Sequence, residues 1–151
     1  MSTRVSVVIP AYNCARYIRA AVQSALAQTH QNIEVVVVDD GSKDETLRVL
    51  ETMEDARLRV ISQQNSGVSI ARNNGVAQSA GEYLAFLDAD DEWLPEKLEK
   101  QLAAMHKNHL PWSFTSLQLI NDAGEELEIQ HSPRAGELLE DLMLRGNVVS
   151  T

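Results

Sequence analysis

The chain has 151 residues, 44% of them hydrophobic and 23% charged, which is the composition of an ordinary globular protein. Its net charge of −9 argues against a broad nucleic-acid surface, because phosphate backbones require clustered Lys and Arg. The single cysteine, Cys14, excludes an internal disulfide and a cysteine-rich zinc site. No apolar run approaches the ~18 residues of a membrane span, and the N-terminus lacks a secretion signal, so we expect a cytoplasmic protein.

Four valine-rich or otherwise apolar stretches predict buried strands. They lie at Arg4–Pro10, Ile33–Asp40, Leu58–Ser62 and Gly81–Asp88. Helical patterns fill the gaps between them, beginning with a buried face made of Ile18, Val22, Ala25 and Leu26. The later helices are predicted at Thr46–Met53, at Val68–Ser79 and from Pro95, as residue N1, to about Lys107. This alternation is typical of βαβ units, and it predicts a mainly parallel sheet with helices on both faces.

The pattern changes after Pro111. Trp112–Ile120 and Glu126–Gln130 alternate like antiparallel strands, and the "NDAG" between them favours a hairpin turn. A short helix is predicted at Gly136–Leu144, and the final "NVVST" resembles the start of a strand. We therefore expect one domain over residues 1–151, with its C-terminal side cut short.

Each predicted strand of the parallel sheet is followed by unusually polar residues. The four segments read "PAYN", "DDGSKDET", "QQNSG" and "DADDEW". One such segment alone would be a turn more often than a site, because Asn, Asp, Gly and Ser are common turn residues. Ligands of open α/β sheets bind at the carboxyl ends of the strands, so four such segments together indicate a ligand site there.

The acidic segment after the fourth strand favours a cation. Asp88 and Asp90 are two residues apart, so their side chains leave an extended backbone on the same face. Paired carboxylates suit Mg²⁺ or Mn²⁺, which commonly completes its coordination with water and substrate phosphates. Asp91 and Glu92 could instead complement the dipole of the helix predicted to start near Pro95.

The motifs "VSVVIPAYN", "VVVVDDGSKDET", "NSGVSIARNNGV" and "GEYLAFLDADD" resemble, in order and spacing, those of the family 2 glycosyltransferases. The similarity runs from about Val5 to Trp93. It implies the GT-A fold, a Rossmann-like α/β architecture. It also implies transfer of a sugar, with inversion, from a nucleotide-diphosphate donor, often a UDP-sugar, to an acceptor hydroxyl.

The resemblance assigns roles to the residues after the first two strands. Pro10, Ala11 and Tyr12 match the segment that lines the base pocket, where Tyr12 could pack against the base. Asp40, with Asp39 beside it, matches the acid that accepts a hydrogen bond from the base ring N–H. The alternative for the two acids is a strand-end turn and helix cap, although Asp44 is the better cap candidate.

Three further residues are matched to the donor and the metal. Arg72 matches a basic residue facing the donor, although a surface arginine on an amphipathic helix is the alternative. Asp88 matches the first acid of the Asp-X-Asp motif, near the ribose, and Asp90 matches the direct ligand of Mn²⁺ or Mg²⁺. Asp88 and Asp90 together are the expected metal-binding pair.

No general base is identified among the late acids Asp122, Glu125, Glu126 and Glu137, because none lies in a matched motif. We expect the base, with the acceptor-binding part, to lie beyond Thr151. A nucleotide-sugar-binding fragment or pseudoenzyme therefore remains the alternative. The resemblance implies a nucleotide-sugar donor, a saccharide or lipid-linked acceptor, and peripheral association of a full-length protein with the cytoplasmic face of a membrane.

Overall fold

The structure, a computed structural model, describes residues 3–121 and 125–130. The chain divides into two compact units, Met1–Lys100 and Gln101–Thr151. Within the described residues, no helix combines the length and the apolarity needed to cross a bilayer.

The first unit is built on a four-stranded parallel sheet, which confirms the predicted α/β class. Its strands, in the spatial order β3-β2-β1-β4, are β1 Val5–Ala11, β2 Ile33–Asp39, β3 Leu58–Ser62 and β4 Tyr83–Phe86. Its helices are α1 Ile18–Leu26, α2 Thr46–Glu51, α3 Val68–Ala77 and the start of α4 Lys97–Asn108. Every residue of β1 and β2 is buried, as the unbroken apolar runs predict for strands covered on both faces.

The two predicted boundaries that flank the acidic residues are wrong. The fourth strand ends at Phe86 rather than Asp88, so the acidic residues lie in the loop beyond it. Pro95 is not the first residue of the last helix, which begins two residues later at Lys97. The carbonyl of Pro95 accepts a hydrogen bond from the backbone N–H of Thr29, which fixes Pro95 in the preceding turn.

Helix α3 lies unusually close to the sheet because of a glycine. A Cβ added to Gly75 would lie 2.4 Å from Cγ1 of Val8 and 3.3 Å from Cγ2 of Val38. The missing side chain therefore allows the helix to pack directly on strands β1 and β2. This packing fixes the position of Arg72, which lies on the same helix.

A buried acid joins the strands at their amino ends. Glu34 accepts hydrogen bonds from Oγ of Ser6 at 2.5 Å, from N of Ala80 at 2.6 Å and from the guanidinium of Arg4 at 3.1 Å. Burial alone would raise the pKa of Glu34, but these donors and Arg59 lower it overall. The carboxylate is fully used in joining β1, β2 and the segment before β4.

A buried amide fastens the segment after the acidic loop to helix α1. Gln28 is fully buried, and its Nε2 donates to the carbonyls of Ser24, at 3.2 Å, and Leu94, at 2.8 Å. Its Oε1 accepts from the backbone N–H of Leu98 at 3.0 Å, while Oγ of Ser24 accepts from N of Trp93 at 3.0 Å. Gln28 thus sets where the acidic loop ends and α4 begins.

The second unit contains the predicted antiparallel hairpin. Strands β5 Leu117–Ile120 and β6 Glu126–Gln130 pair in this unit, although β5 starts five residues later than predicted. The rings of Trp112 and Phe114, which precede β5, stack with their centroids 5.5 Å apart. Most of the "NDAG" turn, the helix predicted at Gly136–Leu144 and the final "NVVST" lie outside the described residues.

We expect Gln28→Ala to lower the free energy of unfolding by about 2–4 kcal/mol, because it removes a buried side chain and its hydrogen bonds to the carbonyl of Leu94 and the backbone N–H of Leu98. Urea denaturation monitored by tryptophan fluorescence measures this change. The matched control is Gln23→Ala, which shortens an exposed glutamine of α1. Equal effects of the two substitutions would contradict the structural role of Gln28.

Candidate functional site

The polar segments that follow the four parallel strands lie at one edge of the sheet. Strands β1 and β2 run in register up to Ala11 and Asp39, and the backbone N–H of Asp40 donates to the carbonyl of Ala11 at 2.8 Å. Strand β3 reaches the same edge at Ser62, the partner of Asp39. Parallel pairing therefore brings the residues predicted from the first three segments to one edge.

Asp40 is the best-anchored acid at this edge. Its side chain is buried, and Oδ1 accepts hydrogen bonds from Nε2 of Gln63 at 2.7 Å and from N of Ser66 at 2.8 Å. Oδ2 accepts from N of Gly67 at 2.8 Å. Burial alone would raise the pKa of Asp40, but these three donors hold it below its ordinary value. The carboxylate therefore stays charged and fastens the loop before α3 to the end of β2.

Gln63 is oriented by a second amide. Its Oε1 accepts a hydrogen bond from Nδ2 of Asn74, on α3, at 2.5 Å. Because an ionised Asp40 can only accept, the amide nitrogen of Gln63 must face Asp40 and the amide oxygen must face Asn74. The three side chains form a directed chain of hydrogen bonds. Sequence analysis did not identify Gln63 or Asn74, although Gln63 does lie in the polar segment that follows β3.

Asp39 differs from Asp40 in the hydrogen bonds that its carboxylate oxygens accept. It is only 2% exposed, and Oδ2 accepts a long hydrogen bond of 3.4 Å from Oγ of Ser62. Oδ1 is buried, and no described residue donates a hydrogen bond to it. The two adjacent acids are therefore not equivalent, since Asp40 holds a loop while Asp39 keeps an oxygen without a protein partner.

The loops after β1 and β2 are joined to each other. Asn13, which has a φ of 50°, accepts from N of Lys43 at 2.8 Å through its Oδ1, and its own N donates to Oγ of Ser42 at 3.0 Å. Asp44 accepts from N of Thr46 at 3.0 Å, which confirms it as a capping residue of α2, and from N of Ala15 at 3.1 Å. These contacts fix the backbone on both sides of the site.

The predicted base-lining residues occupy the end of β1 and the start of this loop. Pro10 and Ala11 are the last two residues of β1, and both are buried in the sheet. Tyr12 is 48% exposed, so much of its ring surface is free to contact a ligand.

Arg72 and Asp88 connect helix α3 to the acidic loop. A guanidinium nitrogen of Arg72 lies 2.5 Å from Oδ1 of Asp88, and both side chains are about 30% exposed, at 29% and 28%. The Nε of Arg72 is buried without a hydrogen-bond partner among the described residues. Arg72 therefore carries a buried, unsatisfied donor in addition to its ion pair, unlike a surface arginine that is fully satisfied by solvent.

The acidic loop concentrates negative charge at the end of β4. Partial burial of its carboxyl group, and then the charges of Asp90 and Asp88, raise the pKa of Asp91, although the residue as a whole is exposed. Asp90, Asp91 and Glu92 are exposed. Asp88 and Asp90 therefore lie close enough for both of their charges to act on Asp91. Such a cluster of carboxylates suits a hard cation, which prefers oxygen ligands. The described residues contain no group of three or more metal-ligating side chains, so by themselves they would supply only part of a coordination shell.

The structure thus places the sequence-predicted residues in two connected groups. One group surrounds Asp40 at the end of β2, and the other surrounds Asp88 at the end of β4. Helix α3 links them, because its first turn is held by Asp40 and Arg72 on the next turn pairs with Asp88. Of the late acids considered as a general base, Glu125 bonds with Asn121 and Glu126 begins β6, whereas Asp122 and Glu137 lie outside the described residues.

Curated relatives of this chain carry glycosyltransferase names. The chain is 39% identical over 149 residues to the putative teichuronic acid biosynthesis glycosyltransferase TuaG of Bacillus subtilis, covering 96% of the chain and 58% of TuaG. It is 38% identical over 120 residues to the Escherichia coli glucosyltransferase WfgD, covering 78% and 47%. An uncharacterized glycosyltransferase of Rickettsia felis is 41% identical over 131 residues, or 86% of the chain and 22% of the relative. The chain therefore spans between about a fifth and three fifths of the length of these relatives.

Solved structures of the GT-A type share the fold. Staphylococcus aureus TarS 1-349 in complex with UDP-GlcNAc superposes with a TM-score of 0.66 at 30% identity, covering 78% of this chain and 40% of TarS. The mannosyltransferase PcManGT of Pyrobaculum calidifontis, in complex with GDP-Man and Mn²⁺, gives a TM-score of 0.60 at 28% identity, covering 80% and 36%.

The sequence model described as "Glycosyl transferase family 2" matches residues 6–148, which is nearly the whole chain. The order of the strand-end motifs, the parallel sheet and the relatives agree with this match. The chain belongs to glycosyl transferase family 2.

Proposed function

We propose that residues 1–151 form a nucleotide-sugar-binding domain of an inverting glycosyltransferase, which moves a sugar from a UDP-sugar to an acceptor hydroxyl. The observation that carries the proposal is the arrangement along the carboxyl edge of the sheet. An anchored acceptor, Asp40, lies at one end and an acidic loop lies at the other. An arginine that pairs with the acidic loop, Arg72, lies on the helix that connects them.

The base-binding role belongs to Asp40, with Tyr12 offering its exposed ring for stacking. A carboxylate has about four acceptor sites, and three of those on Asp40 are used by Gln63, Ser66 and Gly67. The remaining site, on Oδ2, suits a base that presents a ring N–H. Uracil and guanine have such a group, whereas cytosine and adenine present a lone pair at the corresponding ring nitrogen. TarS with UDP-GlcNAc and PcManGT with GDP-Man both hold bases of the first kind.

The diphosphate end of the donor lies, in this proposal, beside the ion pair of Arg72 with Asp88 and next to the acidic loop. Asp90 and Asp88 would hold Mn²⁺ or Mg²⁺, and donor oxygens and water would complete its shell. When bound, such a metal would stabilise the negative charge of the departing diphosphate. Arg72 would supply charge-assisted hydrogen bonds to the donor. The complex of PcManGT with GDP-Man and Mn²⁺ supports the metal assignment.

Inversion requires the acceptor hydroxyl to attack the anomeric carbon from the face opposite the diphosphate. We assign no general base to this step. The acceptor is proposed to be a saccharide or a lipid-linked saccharide, supported by the name of WfgD, which specifies an alpha-D-GlcNAc-diphosphoundecaprenol acceptor. Such an acceptor would place the full-length protein at the cytoplasmic face of a membrane.

The base assignment predicts selectivity between two pyrimidines of equal size. With Mn²⁺ present, we expect the chain to bind UDP at least about tenfold more tightly than CDP, because the carboxylate of Asp40 attracts the N–H of uracil and repels the cytosine lone pair. Isothermal titration calorimetry measures both affinities. Asp40→Asn should lower the ratio of UDP to CDP affinity, because the amide of Asn can donate a hydrogen bond to cytosine as well as accept one from uracil. Equal binding of UDP and CDP by the unsubstituted chain would exclude this role.

The metal assignment predicts that Mn²⁺ strengthens UDP binding through Asp90. We expect Asp90→Asn to lower UDP affinity in Mn²⁺ by about tenfold or more, towards the value measured in EDTA, because a charged carboxylate ligand is replaced by a neutral amide oxygen that binds the metal more weakly. Glu92→Gln is the matched control, since it removes the same charge from an exposed acid two residues away. If both variants lose the same affinity, the effect reflects net charge rather than coordination, and the assignment fails.

Turnover separates the transferase from a protein that only binds donor. We expect the chain to release free sugar slowly from a UDP-sugar, with water in place of the acceptor, and to lose this activity in Asp90→Asn. Chromatographic detection of UDP formation measures the rate. Tight UDP binding with no turnover, in the presence or absence of saccharide acceptors, would favour a nucleotide-sugar-binding pseudoenzyme instead.

A further inference from the structure

We infer that Gln63 is a positioning residue for base selection, and that Asn74 sets the direction of its amide. The inference rests on the proposed role of Asp40 and extends it to side chains that need not touch the ligand. The structural basis is the chain of hydrogen bonds from Asn74 through Gln63 to Asp40, at 2.5 Å and 2.7 Å.

The geometry shows why Asp40 needs a side-chain partner. The two backbone donors, from Ser66 and Gly67, lie in consecutive residues of one loop, so they approach the carboxylate from that loop alone. Gln63 comes from the end of β3, where its own backbone N donates to the carbonyl of Asp39 at 2.9 Å. The third donor therefore approaches from the sheet. Together the three donors fix the carboxylate rotation and leave one acceptor site on Oδ2.

The orientation of the Gln63 amide decides whether its contact with Asp40 is attractive or repulsive. A reversed amide would place its oxygen against Oδ1 of Asp40, and two acceptors facing each other are unfavourable. The NH₂ group of Asn74 prevents this reversal by donating to the amide oxygen. Asn74 is exposed and lies on α3, and its contact is with Gln63, so it acts on the base contact through Gln63.

Gln63→Glu tests the inference because it keeps the shape of the side chain and replaces the donor with an acceptor. Two carboxylates then lie at hydrogen-bond distance, which disfavours the ionised form of both. In Mn²⁺ at pH 8, we expect UDP affinity to fall about tenfold and the ratio of UDP to CDP affinity to fall by a similar factor. The matched control is Gln64→Glu, which makes the same charge change in an exposed neighbour and should alter neither value more than about twofold.

The pH profile separates positioning from a general loss of structure. When pH is lowered towards about 5, the carboxyl introduced at position 63 should take up a proton and donate to Asp40 as the amide does. UDP affinity of Gln63→Glu, divided by that of Gln64→Glu, should therefore recover towards one. A fold-damaging substitution would produce no such recovery. Asn74→Leu should give a smaller loss than Gln63→Glu, because Gln63 keeps its donor but loses its orientation.

The outcomes distinguish this inference from the proposed function. If the unsubstituted chain binds neither UDP nor GDP, the proposed function fails, and the positioning role fails with it. If UDP binds with selectivity over CDP but Gln63→Glu and Gln64→Glu behave alike at every pH, Gln63 is not a positioning residue while the proposed function stands. Thermal unfolding of each variant identifies any loss of fold, and the affinity ratio remains interpretable because UDP and CDP are compared on the same sample.

Discussion

The buried carboxylate of Asp40 is the constraint on which the site depends. It lies at the end of β2 and accepts hydrogen bonds from the residues that immediately precede helix α3. A buried charge is costly unless it is well hydrogen-bonded, so the loop of residues 63–67 and the start of α3 are held where these donors are needed. The same carboxylate that would recognise a base thus also determines where the helix begins.

Helix α3 connects the loop held by Asp40 to the acidic loop. Gly75 lets the helix lie directly on Val8 and Val38, which fixes the distance between the helix and the strands. This distance in turn determines where Arg72 lies relative to the edge of the sheet. Arg72 pairs with Asp88 in the acidic loop, whose far end is fastened to α1 through Gln28. The acidic residues are therefore held from both sides. Their mutual repulsion is offset by these contacts elsewhere in the fold.

The sequence was sufficient to predict the features that depend on local residue patterns and on the order of strands and helices. The apolar runs of β1 and β2 were sufficient to predict a doubly covered parallel sheet, and the sheet rule placed Asp40 and Asp88 at the same edge. The sequence pattern placed the end of β4 two residues too late. It also failed at Pro95, because a hydrogen bond from the distant Thr29 holds Pro95 in the turn before α4. Gln28, Gln63 and Asn74 were missed for the same reason. Each is an unremarkable amide in sequence, and each acquires its role only from its partners in the fold.

Paramagnetic broadening by Mn²⁺ tests the central claim most directly, namely that the edge organised by Asp40 holds a nucleotide diphosphate and its metal. In ¹H–¹⁵N spectra of the labelled chain with UDP, substoichiometric Mn²⁺ should broaden the amide signals of Asp88–Asp91 first and those of Ser66 and Gly67 next. The amides of Ala80 and Gly81, at the opposite edge, should broaden last. Uniform broadening, or broadening that begins at Ala80 and Gly81, would contradict the account.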